Sequence, residues 1–205
     1  SAYDFDFHDI ERVDVMRGPQ GTLYGRNTMG GLVRVFTANP ITHYGTELRA
    51  GWTSRTGGRR VSFNTYLHPA DQMGVSVSGY YKGENGFYTN QATGHKQDGE
   101  DAAGGRVRWS WRPTEKVKLD WTASFDHSQE DACPYFYLGS TEGTDSPSNP
   151  TIGQNRPSTY RRNLFNTGLG VEHRLPQMVL TSITAYQYLD DRLFMDQDFT
   201  AADIF

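Results

Sequence analysis

The chain has 205 residues, with 22 glycines, 13% aromatic residues, 21% charged residues and a formal net charge of −4. Abundant glycine and aromatic residues with moderate charge are typical of β-rich folded proteins, and they exclude a disordered chain. No stretch approaches the ~18 to 20 apolar residues of a membrane-spanning helix, which excludes a helical membrane protein. The negative charge and the scattered arginines provide no basic field for a phosphate backbone, so no nucleic-acid partner is expected.

The first predicted elements are two strands separated by a glycine-rich passage. Apolar and polar residues alternate over residues 10–16, which predicts a short strand. Residues 17–27 concentrate turn-forming residues too densely for a regular element. β-branched and aromatic residues return over residues 30–37 and predict a second strand, which Pro40 then separates from the rest of the chain.

Long alternating runs follow, in which every second residue is apolar, as expected for strands with one apolar face. The clearest run covers residues 117–126. The run at residues 179–189 has apolar residues at both parities, so the sequence assigns no face to it. The other runs lie at residues 48–52, 61–68, 75–82, 106–112 and 165–171.

The connections between these runs alternate in length. Tight connections contain Pro69, Pro113 and Pro176, whereas long polar connections are predicted at residues 83–104 and 128–160. A modest glycine-rich loop at residues 54–59 joins the first two runs. Short turns at one end and long loops at the other are typical of an up-and-down transmembrane barrel. A run of about ten residues also suits a tilted strand that crosses a bilayer.

A soluble β-sandwich of about seven strands is the alternative, since its strands alternate in the same way. Charged residues within long strands, aromatic residues toward the strand ends and loops that grow at one end only favour the barrel.

Residues 9–37 closely resemble the end of the plug domain of TonB-dependent outer-membrane receptors. The resemblance rests on the strand that starts at Asp9-Ile10-Glu11-Arg12-Val13, on Arg17-Gly18-Pro19, on Leu23-Tyr24-Gly25 and on Gly30-Gly31. The later runs, including Leu180-Thr181-Ser182-Ile183-Thr184-Ala185-Tyr186, look like the opening strands of that family's barrel. The resemblance implies that residues 1–40 are the end of the plug and that residues 41–205 are the first part of the barrel.

The implied fold is all-β: the end of a plug followed by about seven antiparallel strands of a transmembrane β-barrel, with about 22 strands in the full-length parent. The implied protein lies in the outer membrane of a Gram-negative bacterium, in contact with the lipid bilayer. It takes up a scarce ligand with energy from the TonB complex, which acts through an N-terminal region missing from this sequence. A ferric siderophore is the first choice of ligand, and haem, cobalamin and oligosaccharide remain open.

The plug motif is expected to contact the barrel wall. Its glycines permit positive φ angles and close backbone approach, and Pro19 stiffens the turn. Its arginines are expected to face the wall carboxylates of Glu47, Asp120 and Asp126, with solvated side chains as the alternative. The predicted plug-motif and contact residues are Arg17, Gly18, Pro19, Gly21, Tyr24, Gly25, Arg26, Gly30, Gly31 and Arg34.

Ligand contacts are expected in the second long loop. Tyr135, Phe136 and Tyr137 offer aromatic surface for stacking, although these residues also fit an interfacial girdle at a strand end. Arg161 and Arg162, near the end of the same loop, are candidates for binding an anionic ligand.

The sequence predicts neither catalysis nor a metal centre. The six histidines are dispersed, no serine lies in a nucleophile elbow, and no cysteine and histidine residues have zinc spacing. The chain is therefore predicted to be a non-enzyme without cofactor or metal. Cys133, the single cysteine, is expected to be a free thiol in a loop. The chain opens at Ser1, so we expect a removed targeting segment or a piece of a longer protein.

Overall fold

The computed structural model describes residues 9–25, 28–131, 153–156 and 158–196. These residues form antiparallel strands in three sheets. No helix in the described ranges has the length and apolar character needed to span a membrane.

The N-terminal hairpin consists of β1 (Ile10–Arg17), α1 (Gly21–Tyr24) and β2 (Gly31–Thr37). β1 and β2 pair with each other in an antiparallel two-stranded sheet. The single helical turn α1 corrects the expectation that the glycine-rich passage contains no regular element. It forms because the Tyr24 N–H donates to the Gln20 carbonyl over 3.0 Å, a local bond that needs no helical periodicity in the sequence.

The wall sheet is a single seven-stranded antiparallel sheet, which excludes the two-sheet sandwich and confirms the predicted strand arrangement. A short hairpin, β6 (Tyr88–Thr89) and β7 (Lys96–Gln97), lies between β5 and β8. The strands of the wall sheet, in spatial order, are β3 (Gly45–Thr53), β4 (Gly58–Ala70), β5 (Met73–Glu84), β8 (Glu100–Thr114), β9 (Val117–Asp131), β10 (Thr159–Arg174) and β11 (Val179–Phe194).

Tight turns lie at one end of the wall sheet, here called the turn end, and longer connections at the other, called the loop end. The turns join β4 to β5, β8 to β9 and β10 to β11, as the prolines indicated. The strands extend further toward the loop end than predicted, because β8 starts at Glu100 and β9 ends at Asp131. Glu100 and Glu130 are still paired there. The apolar alternation stops earlier, so it underestimates the length of the strands.

The two faces of the wall sheet have the opposite character to those of a water-soluble protein. The apolar face is exposed: Leu48 is 72% accessible and Trp52 is 75% accessible. The polar face lies against the N-terminal hairpin, and Ser62, Ser76 and Ser110 on it are buried. Cross-strand rows keep the faces aligned, for example the apolar row Leu67, Val75, Trp109, Trp121 and Leu169. The predicted apolar runs therefore share one face.

The register resolves the face of β11, which the sequence left open. Tyr188 pairs with Phe165 on the apolar face, and Tyr186 pairs with Thr167. Leu189 pairs with the buried Leu164 on the opposite face. β11 is an edge strand in this sheet, and almost all of its residues are exposed. Apolar residues at both parities thus reflect apolar neighbours on both faces.

Candidate functional site

Two arginines of β8 hold the N-terminal hairpin on the polar face of the wall sheet. Arg106 forms an ion pair with Asp9 over 2.8 Å, and the exposed side-chain fractions are 16% and 2%, respectively. Arg108 Nη1 donates to Thr37 Oγ1 over 2.9 Å and to the Thr37 and Ala38 carbonyls, each over 3.1 Å. The Ala38 N–H in turn donates to the Asp9 carbonyl over 2.8 Å. This arginine clamp, Arg106 and Arg108, therefore fixes both ends of the hairpin to one strand.

The wall carboxylates that were expected to bind plug arginines are engaged by wall residues. Asp120 pairs with Lys118 over 2.7 Å and with Arg108 over 3.4 Å, and it also accepts a hydrogen bond from Ser110. Asp126 accepts a hydrogen bond from Tyr80 over 3.1 Å. Asp120 therefore orients Arg108. The charged wall residues that contact the hairpin are the arginines Arg106 and Arg108.

The plug-motif arginines make other contacts than those expected. Arg34 donates to the Tyr24 hydroxyl over 3.3 Å and lies 4.6 Å from the centre of the Phe36 ring, within the hairpin itself. Arg17 is exposed at the end of β1. Glu47 pairs with Arg49 of the same strand over 2.7 Å. Among the described residues, the ion pair between hairpin and wall therefore has its cation on the wall and its carboxylate on the hairpin, which is the reverse of the prediction.

Some plug-motif glycines have a clear backbone role. Gly18 and Gly25 have φ angles of 81° and 85°, which allows the chain to enter and leave α1. Gly31 has a φ angle of 144°, and a Cβ there would lie 2.6 Å from the Met16 carbonyl oxygen. Pro19 lies in the turn between β1 and α1. The neighbours of Gly21 and Gly30 would leave room for a Cβ.

A tightly packed connector joins the hairpin to β3. Pro40 is fully buried, and a Cβ on Gly74 of β5 would overlap the Pro40 carbonyl. Asn39 holds the next turn, since its side chain accepts a hydrogen bond from the Ile41 N–H over 3.1 Å and its carbonyl accepts one from the His43 N–H over 3.1 Å. The absence of a side chain at Gly74 therefore lets the connector pack directly against β5. The domain boundary after residue 40 stays a prediction.

The loop end of the polar face contains a cavity of about 410 Å³. Arg60, Lys82 and Arg162 lie in one cross-strand row there, with Ala102 and Ser128 between them. Lys82 is almost buried and contacts Glu100 over 2.6 Å. The polar-face residues that line this loop-end cavity include Thr53, Arg60, Lys82, Glu84 and Glu100.

Comparison with known proteins finds a family model at the N-terminus and relatives that match a larger part of the chain. Residues 1–32 match the TonB-dependent Receptor Plug Domain. The chain is 32% identical over 126 residues to the pesticin receptors of Yersinia enterocolitica and Yersinia pestis, an alignment that covers 60% of this chain and 18% of those relatives. These matches support a fragment of a TonB-dependent receptor.

Two solved structures share the fold of this chain. The crystal structure of the ferric yersiniabactin uptake receptor FyuA from Yersinia pestis superposes with a TM-score of 0.74 at 24% identity, over 90% of this chain and 29% of that one. The siderophore receptor PirA from Acinetobacter baumannii gives a TM-score of 0.62 at 17% identity, over 89% and 27% of the two chains. The relatives are receptors, which confirms the non-enzyme prediction. The chain spans about 18% of the length of the pesticin receptors.

The two arginines predicted to bind a ligand lie on opposite faces of the wall sheet. Arg162 is on the polar face, where it pairs with Asp191 over 2.9 Å and donates to the Tyr160 hydroxyl over 2.6 Å. Arg161 is on the apolar face and donates to Gln129 Oε1 over 3.1 Å. Adjacent strand residues point to opposite faces, so a site on the polar face receives only Arg162. Arg162 lies four strands along the row from Arg60, outside the lining of the loop-end cavity. Arg26, Cys133, Tyr135, Phe136 and Tyr137 lie outside the described residues.

Sequence reasoning did not select Arg60, Lys82, Arg106 or Arg108 as contact residues. All four lie at the polar parity of their alternating runs, next to apolar positions that were correctly assigned. That parity, combined with a cationic side chain at the polar face, is the signal that would have found them.

A short acidic connection joins β7 to β8 at the loop end. Asp98 has a φ angle of 69°, in the left-handed region. Burial raises the pKa of Asp98, and the nearby charges of Glu84 and Asp131 raise it further. Across the described ranges, no three histidine, cysteine or acidic side chains are grouped to hold a metal ion.

Proposed function

We propose that this chain is part of a receptor that imports a ferric siderophore across the outer membrane of a Gram-negative bacterium. One structural relative is a ferric yersiniabactin uptake receptor and the other is a siderophore receptor. The single observation that supports ligand binding here is the loop-end cavity on the polar face, with Arg60 exposed at its edge. Ferric siderophores are often anionic chelates, and a guanidinium group suits their carboxylate or phenolate oxygens.

The apolar face is proposed to contact the lipid bilayer. Several cross-strand rows of Trp, Phe, Leu and Val residues cover the apolar face. No other part of the described chain packs against these rows. An outward apolar band of about 25 Å flanked by aromatic residues is the feature that places strands in an outer membrane. The loop end would then face outward, and the turn end the periplasm.

Energy coupling is proposed to act on the region that precedes Asp9. A pull by the TonB complex from the N-terminal side would load Asp9 before the rest of the hairpin, because Asp9 immediately precedes β1. The arginine clamp would resist this pull at Arg106, whereas Arg108 holds the C-terminal end of the hairpin, where the chain continues to the wall sheet. The plug-motif residues from Arg17 to Arg34 are proposed to keep the hairpin compact during this movement.

The ligand residues proposed from the described structure are Arg60 and Arg162, and the aromatic residues Tyr135, Phe136 and Tyr137 remain candidates. In the full-length receptor, Arg60→Gln should weaken binding of the ferric siderophore about tenfold, the expected loss of one charge-assisted hydrogen bond. Arg174→Gln is the matched control, since Arg174 is exposed at the turn end and pairs with Glu172 over 2.8 Å.

The experiment measures the uptake of radioactive iron by cells that carry the full-length receptor. The iron is supplied in turn as each of a set of ferric siderophores. Reduced uptake by the Arg60→Gln variant and normal uptake by the Arg174→Gln variant would support the proposal. Uptake of haem or cobalamin instead of any ferric siderophore would assign the receptor to another ligand. Uptake that is equal in both variants would exclude the loop-end cavity as the binding site.

A further inference from the structure

Two exposed arginines lie directly opposite each other on the apolar face, near the loop end. Arg161 of β10 is paired in register with Arg192 of β11. Both belong to the parity of Phe165 and Tyr188, which are also paired and exposed on that face. Arg161 therefore points away from the polar face and from any ligand in the loop-end cavity.

The charge of this arginine pair is only partly neutralised by the described neighbours. Arg192 forms an ion pair with Asp190 over 3.2 Å, with 63% of the Arg192 side chain exposed. Arg161 donates to the neutral amide oxygen of Gln129 over 3.1 Å. Like charges directly opposite each other on one face destabilise a pair of strands. An anion between the two guanidinium groups would turn this repulsion into attraction.

The position of the pair fits the headgroup layer of a membrane. Phe165 lies four positions from Arg161, and Tyr188 lies four positions from Arg192. This corresponds to about 14 Å along a strand, or about 10 Å along the membrane normal for a strand tilted by about 40°. Phe165 and Tyr188 are the last apolar residues of this face before the arginine pair, and exposed Phe194 lies two residues beyond Arg192 on the same face. An aromatic residue beyond the pair is typical of the interfacial girdle, so the guanidinium groups lie alongside the lipid headgroups.

We propose that Arg161 and Arg192 together bind a phosphate group of an outer-leaflet lipid on the outer surface of the barrel. Arginine forms bidentate hydrogen bonds to phosphate oxygens and is the side chain best suited to an exposed phosphate. A lipid is favoured over free phosphate because the pair continues the apolar face, along which acyl chains would pack beneath the headgroup. The inference rests on the proposed membrane location, but it does not depend on which ligand the receptor imports.

The test uses the full-length receptor, purified in an uncharged detergent and stripped of bound lipid. Three probes are compared by native mass spectrometry: phosphorylated lipid A, the same lipid after removal of its phosphates, and inorganic phosphate. The variant Arg161→Gln/Arg192→Gln should bind phosphorylated lipid A about thirtyfold more weakly than the wild type. The wild type should bind the dephosphorylated lipid as weakly as the variant binds the phosphorylated one.

A matched control, Arg49→Gln/Arg174→Gln, removes two exposed arginines from the polar face and should retain lipid binding. Circular dichroism and the heat-dependent shift in electrophoretic mobility establish that both variants are folded. Equal lipid binding by the wild type and Arg161→Gln/Arg192→Gln would refute the site, as would equal binding of the two lipids. Binding of inorganic phosphate as tight as that of the lipid would refute the lipid as the ligand.

Iron uptake by the same variants separates this inference from the proposed function. Arg161→Gln/Arg192→Gln should import the ferric siderophore normally, because the pair faces away from the loop-end cavity. Loss of lipid binding with normal uptake supports the phosphate site. Absence of uptake by the wild-type receptor, with lipid binding intact, would refute the siderophore proposal alone.

Discussion

Replacing Arg106 with glutamine should loosen the N-terminal hairpin from the wall. The partner, Asp9, is only 2% exposed, and its second carboxylate oxygen, Oδ2, has no hydrogen-bond partner. Arg106→Gln therefore leaves a buried carboxylate without its cation. Removing one partner of a buried ion pair typically costs about 3 to 5 kcal/mol. We use the lower end, about 3 kcal/mol, because the Arg106 side chain is 16% exposed.

Hydrogen exchange of the β1 and β2 amides in the full-length receptor measures this cost. A loss of about 3 kcal/mol corresponds to a fall of about 100-fold in the protection factors, since about 1.4 kcal/mol is tenfold. The double variant Asp9→Asn/Arg106→Gln should recover at least half of this loss, because the buried charge is then removed. Exchange at β9 should not change, as its strand pairing does not involve Asp9.

The exposed pair of Glu47 and Arg49 provides the control, since both side chains are more than half exposed. Arg49→Gln should change protection by less than about tenfold, the range measured for surface ion pairs. Unchanged protection of β1 in Arg106→Gln would refute the role of the arginine clamp. Strictly additive effects of Asp9→Asn and Arg106→Gln would show that the two side chains do not act as a pair.

Three further predictions concern the loops and the connector. The pKa of Asp98 is raised in the folded protein, so the wild-type loop should lose stability as the pH rises from the ordinary aspartate value of 3.8 through the folded value. Asp98→Asn removes this charge and should keep the loop protected from hydrogen exchange at neutral pH. Protection of the wild-type loop that does not change with pH would contradict this prediction. Gly74→Ala should lower the yield of folded receptor, because the connector lies against that position, whereas Gly51→Ala has open space and should fold normally; equal yields would show that the connector adapts. Asn90→Ala removes a buried hydrogen bond of 2.8 Å to the Gln154 carbonyl and should speed proteolysis within the loops, with a loss of about 1 to 2 kcal/mol in local stability; unchanged cleavage would argue against this anchor.

Strand positions and faces were predictable because a sheet with one apolar face imposes a period of two on the sequence. The run from Val117 to Asp126 illustrates this, since its apolar parity lies on the exposed face along its whole length. Strand ends were less predictable: beyond the apolar band both faces tolerate polar residues, so Glu100 and Asp131 carry no signal of the strand that contains them.

The hairpin–wall contact could not be predicted from local patterns. Asp9 and Arg106 are 97 positions apart, and which wall cation meets which hairpin residue depends on how the hairpin docks. The opposite orientations of Arg161 and Arg162 were within reach, because neighbouring strand residues alternate between faces. Both residues were predicted as ligand contacts from their position near the end of the second long loop, and that position does not distinguish the two faces of a strand.

The position of the arginine clamp also has a consequence for the order of folding. Every pairing in the wall sheet joins strands that follow one another along the chain, apart from the inserted β6–β7 hairpin. Such local pairings close short loops and carry a small entropic cost. The ion pair of Asp9 with Arg106 closes a segment of 97 residues, so it gains stability only once β8 has joined the sheet. We therefore expect the hairpin, although it precedes the wall sheet in the chain, to dock only after β8 has formed.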